Sequence, residues 1–93
     1  MTNTRYQVNP VVSCGEEADG AVLFNPDINS TTVINTSGHL LWSYMAKPHT
    51  IKEIAEFLIE SFDGVDIDQA TEDALAFVET LCSDFLIEVD DVS

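Results

Sequence analysis

Positive charge is what this 93-residue sequence has least of: 3 Lys and Arg stand against 17 Asp and Glu, for a formal net charge of −14. Phosphate backbones and anionic lipid surfaces would be repelled, which argues against nucleic acid and membranes as partners. Basic peptides or basic protein faces would be attracted, although the same charge also serves plain solubility. Cysteine is scarce too. Cys14 and Cys82 stand far apart and outside any CxxC motif, so no disulfide framework is implied and both read as reduced thiols. No apolar run approaches the roughly 20 residues that span a bilayer. The opening MTNTRYQVNPVV has one Arg and no apolar core, unlike a signal peptide. Together these absences predict a cytoplasmic protein.

Catalytic signatures are missing as well. There is no GxGxxG, no GxxxxGK[ST] and no GxSxG. His39 and His49 are the only histidines, and their spacing suits no metal signature. The carboxylates fall mostly on expected solvated faces, such as Glu53, Glu56 and Glu60 on one helix and Glu72 and Glu79 on the next. A paired-carboxylate acid–base site needs a pocket and a shifted pKa, and the pattern points to neither. No enzymatic activity, metal or cofactor is therefore expected.

What is present suits one small domain. The length fits a single unit, and 45% hydrophobic residues are enough for a packed core. Residues 1–9 are polar with few anchors and are expected to be loose; the domain is placed at 10–89 and a tail at 90–93. Val11, Val12 and Cys14 open an apolar segment, and 15–20 read as a turn. Ala21 to Phe24 is a second apolar run, 25–29 a second turn, and Ser30 to Ile34 a third, alternating segment. Three short strands joined by tight turns predict an antiparallel meander.

The period changes at Asn35. Thr36 and Ser37 are N-cap candidates for a short helix carrying Leu40, Leu41, Trp42, Tyr44 and Met45, with Trp42 expected in the core. Lys47-Pro48-His49 breaks it. Thr50 and Glu53 form a capping box for a second helix with Ile51, Ile54, Ala55, Leu58, Ile59 and Phe62 at helical spacing, and Phe57 off that face. A third helix is expected from about 67 to 83, capped by Asp66 or Asp68. Its apolar positions cover about 160° of the helical wheel, which fits either an arc that is all core or one flank on the core and the other flooring a groove. Phe85 to Val89 follows as an extended apolar tail.

"VINTSGHLLWSYM", "TIKEIAEFLIESF" and "ALAFVETLCSDFLIEV" together resemble the PqqD-like family, the small peptide chaperones also known as precursor-peptide recognition elements. The likeness rests on the Asn35, Ser37, Gly38 turn, the Leu41-Trp42 pair, the Thr50–Ile54 capping box and the Phe-Leu-Ile tail. Lys47-Pro48-His49 departs from the acidic-glycine turn of the pattern. The resemblance implies an α+β, winged helix-turn-helix-like fold: a three-stranded antiparallel sheet followed by three helices. It implies no chemistry of the domain's own. It implies binding the leader of a ribosomally made precursor peptide, which adds as a strand to the third strand and lies against the last helix. A partner enzyme, of the radical S-adenosylmethionine type, would then modify the peptide.

The residues themselves point the same way, since a third strand at the edge of a meander is a template for strand addition. The expected peptide-binding residues are Ser30, Thr31, Thr32, Val33 and Ile34 on the strand, with Asp73, Ala74, Phe77, Val78 and Leu81 on the helix. Phe77 and Asp73 lie on one flank of that helix, Leu75 and Cys82 on the other, and either flank fits a groove. Three rivals differ in class. A winged-helix DNA-binding regulator conflicts with the charge. An acidic acyl carrier lacks the Asp-Ser-Leu serine it would need. A plain protein-interaction module remains open on sequence grounds.

Overall fold

The computed structural model describes residues 4–89. Its elements run β1 (Arg5–Val8), β2 (Ser13–Glu17), β3 (Gly20–Asn25), β4 (Ser30–Asn35), α1 (Thr36–Tyr44), α2 (Ile51–Ser61), α3 (Ile67–Leu81) and β5 (Leu86–Val89). Strands β2, β3 and β4 form the expected antiparallel meander with β3 central. The first turn is tighter than the composition suggests. Gly15 to Glu17 belong to β2, and the chain reverses over Ala18 and Asp19 alone. Gly20 makes this possible: its φ is +145°, and a Cβ there would sit 1.9 Å from the Ile34 carbonyl oxygen.

Residues 1–9, expected to be loose, include a strand. Arg5–Val8 pairs antiparallel with Leu86–Val89, joining the two ends of the domain in a second, two-stranded sheet. Tyr6 and Val8 pack against the core, but two apolar residues among polar ones give too weak a pattern for the sequence to reveal the strand. Its backbone is anchored as well: Tyr6 and His49 exchange backbone hydrogen bonds of 2.8 and 3.0 Å, and Val8 N–H donates to the Met45 carbonyl at 3.0 Å. Residues 1–3 and the 90–93 tail lie outside the described residues.

Local chemistry sets the helix starts. Asn35, not Thr36 or Ser37, caps α1, its Oδ1 accepting from Gly38 N–H at 2.8 Å. The Thr50 capping box forms as expected, with Glu53 N–H donating to Thr50 Oγ1 at 3.2 Å and Thr50 N–H to Glu53 Oε1 at 2.9 Å. Asp66 caps α3 through Gln69 N–H at 2.8 Å, and the helix ends at Leu81 rather than at Ser83.

The core gathers one face from each layer. Ala21, Leu23 and Ile34 from the sheet meet Leu41 and Trp42 of α1 and its C-cap Met45, Ile54, Ala55 and Leu58 of α2, and the inner face of α3. Phe57 is half-buried: it stacks on Tyr44 at 4.1 Å, and His49 stacks on Tyr44 at 3.9 Å from the other side. This sandwich seats the Lys47-Pro48-His49 break against both helices. Burial, and then the carboxylates Glu53, Glu60 and Glu56, push the Tyr44 hydroxyl pKa above its ordinary value. No helix among the described residues is long and apolar enough to cross a membrane.

Candidate functional site

Strand β4 forms an edge of the three-stranded sheet. Its register decides which backbone groups face outward. Glu17 and Gly20 close the two-residue turn between β2 and β3, so they are a hydrogen-bonded pair. Backbone direction alternates along a strand, which turns Ala21, Leu23 and Asn25 toward β4. Their partners there are Ile34, Thr32 and Ser30. The N–H and C=O groups of Thr31 and Val33 therefore point to the open edge. Side chains alternate in step: Ile34 is buried, Thr32 half-buried, while Thr31 and Val33 are exposed. Val33 is 73% exposed, far more than any other large hydrophobic residue among those described.

Beyond the end of β4 lies a cavity of about 470 Å³. Asn35, Ser37, Gly38 and Leu41 wall it from the start of α1, and Leu58, Phe62 and Val65 from α2 and the loop after it. Asp73, Ala76 and Phe77 close it from α3. The lining is mostly apolar, with Asn35, Ser37 and Asp73 as its polar members. Gly38 matters to this shape. A Cβ there would meet Ile34 Cβ at 3.1 Å and the Phe77 ring at 3.4 Å, so its absence lets strand, helix and ring converge.

A profile of the family described as "Coenzyme PQQ synthesis protein D (PqqD)" matches residues 20–87. The chain belongs to this family. The solved structure titled "Lasso peptide synthetase B1 complexed with the leader peptide" has the same fold, with a TM-score of 0.72 at 20% identity over 88% of this chain and 96% of that one. No curated protein sequence matches the chain.

The sites expected from the sequence divide in this PqqD-family chain. Ser30 to Ile34 do form the edge strand. Ser30 is in part committed elsewhere, since its hydroxyl donates to Asp84 Oδ2 at 3.1 Å. Beside it, buried Asn25 donates to the Asp84 carbonyl and accepts from Asp27 N–H at 3.0 Å, tying the β3–β4 hairpin to the turn after α3. On α3, Asp73 and Phe77 line the cavity. Ala74, Val78 and Leu81 do not floor a groove: they are 0%, 4% and 1% exposed and belong to the core. The wide apolar arc has its centre in the core and one edge, Phe77, at the cavity. Leu75, on the other flank, is 41% exposed and away from it.

Of the cavity lining only Asp73 and Phe77 were expected from the sequence, and Gly38, Phe62, Val65 and Ala76 are among those missed. Gly38 in the first turn of a helix was the available signal, because glycine is costly there unless something must come close. Among the described residues no group of three or more His, Cys, Asp or Glu could hold a metal ion.

Proposed function

We propose that this domain binds the leader segment of a ribosomally made precursor peptide and presents it to a separate modifying enzyme. The observation that carries the reading is the open β4 edge running up to an apolar cavity on α3. An incoming strand gains main-chain hydrogen bonds from Thr31 and Val33, and drops alternate side chains toward Phe77 and Asp73. Family membership supports it. So does the shared fold with a lasso peptide synthetase component that was solved with a leader peptide. The domain contributes recognition and no bond chemistry, and its enzyme partner is of the radical S-adenosylmethionine class.

Titrating isotope-labelled protein with the leader of a precursor encoded beside its gene tests this. We expect a dissociation constant near 1 μM, about −8 kcal/mol, with amide shifts concentrated in β4 and around Phe77. Absence of shifts at several hundred micromolar peptide would sink the reading. Shifts confined to the β1–β5 sheet would move the site elsewhere.

A further inference from the structure

We propose that Asp73 makes the groove selective for a cationic leader: a Lys or Arg lies two residues from the bulky apolar side chain that fills the cavity. This rests on the leader-binding reading and adds to it the chemistry of the peptide.

Asp73 is the one ionisable residue in the cavity lining. The other side-chain acceptor whose bonding is defined there, Asn35 Oδ1, is already occupied by the α1 cap. Asp73 is held in place: Gln69 Nε2 donates to its Oδ1 at 2.9 Å from one turn earlier on α3. Its second oxygen is left to accept from a ligand. An ionised carboxylate accepts and cannot donate, so at this spot it favours a cation and repels an acidic residue.

Strand geometry supplies the spacing. Side chains two residues apart on one face of a strand are about 6.8 Å apart. Asp73 and Phe77 are four residues apart on a helix, about 6 Å along its axis. A strand lying along α3 thus brings one side chain to the Phe77 wall and its same-face neighbour to Asp73. The other carboxylates of this helix cannot substitute. At about 100° per residue, Asp68, Glu72 and Glu79 lie roughly 100° to 140° round the axis from Asp73, on the solvent side. The net charge of −14 raises the local concentration of basic peptides, but only Asp73 imposes a position on the charge.

A displayed library of random ten-residue peptides, selected on the intact protein and on its Asp73→Lys and Asp73→Asn variants, tests this. Asp73 is exposed, so both variants fold. On the parent we expect enrichment of a bulky apolar residue with Lys or Arg two positions away. On Asp73→Lys the same place should enrich Glu or Asp, and on Asp73→Asn it should lose its charge preference. With one enriched peptide made synthetically, changing that Lys to Glu should weaken binding to the parent about fivefold or more and strengthen it to Asp73→Lys. Peptides with the apolar residue but no charge bias, or with the same bias on all three proteins, overturn the proposal and leave leader binding intact. No enrichment at all, or binding unaffected by Val33→Pro, overturns the leader-binding reading itself.

Discussion

Two prolines, one residue apart, separate recognition from folding. The register directs the Val33 amide to the open edge and the Thr32 amide into the ladder with Leu23. Proline removes one N–H, and its ring is tolerated in sheets only on the free side of an edge strand. Val33→Pro should therefore leave the sheet nearly intact and delete one hydrogen bond to an incoming strand. Losing that donor leaves a carbonyl of the leader without a partner inside the interface. That costs about 1–3 kcal/mol, or roughly 5- to 150-fold in affinity at 1.4 kcal/mol per decade. Thr32→Pro instead breaks a bond of the β3–β4 ladder and pushes the ring toward β3. Leaving the Leu23 carbonyl unpaired costs about 1–3 kcal/mol, a large share of the 5–15 kcal/mol typical of a domain, and should lower Tm by about 4–24 °C. Fluorescence anisotropy with a labelled leader, alongside circular dichroism melts, reads both quantities. The reasoning is refuted if Val33→Pro stays folded and binds as tightly as the parent, or if the two variants exchange roles.

Three further perturbations probe the same geometry. Phe77→Ala removes a wall of the cavity and should cost about 1–3 kcal/mol of leader binding by calorimetry; unchanged affinity would show that the peptide passes elsewhere. Gly20→Ala drives a Cβ into the Ile34 carbonyl at a φ of +145°, so thermal melts should drop by more than about 10 °C, while Gly64→Ala, which meets no atom within 4 Å but carries the strain of a φ of +78°, should drop less. The Thr50 backbone hydrogen bond holds the Glu53 carboxyl below its ordinary pKa of 4.5, with His49 and Arg5 adding to it against the opposing effect of burial. A lowered folded-state pKa gives stability that is complete above 4.5 and lost as pH falls through the folded value, so urea midpoints should fall more steeply below pH 4.5 in the parent than in Glu53→Gln. Parallel curves would remove Glu53 from the acid response.

The starts of α2 and α3 and the alternation of the meander were legible in the sequence because each rests on a pattern a few residues long. Thr50 and Glu53 cap a helix with bonds that span three residues, and Asp66 does so through Gln69. The alternation of Ser30 to Ile34 is likewise a local pattern. The same local reading misjudged the α1 cap, since Asn35, Thr36 and Ser37 all suit that role and only the end of β4 selects Asn35. It misjudged the N-terminus for a different reason. Arg5–Val8 is held by backbone pairing to Leu86–Val89 and His49, and such bonds leave no mark on side-chain composition.

The division of α3 was beyond the sequence altogether. Periodicity shows that Phe77, Ala74, Val78, Leu81 and Leu75 share one broad arc, and nothing in the spacing says where the neighbours stop. Packing of the sheet, α1 and α2 covers Ala74, Val78 and Leu81, exposes Leu75 and leaves Phe77 facing a cavity. Beside that cavity Gly38 lets the start of α1 approach both Ile34 and Phe77, residues far apart in the chain. The sequence by itself determined the three helices and the β2–β4 meander, because propensity, caps and alternation act over a few residues, while β1 came only from pairing with the far end of the chain. Only the tertiary structure decided which of their faces remain open to a partner, because exposure is set by how distant segments fill the space between them.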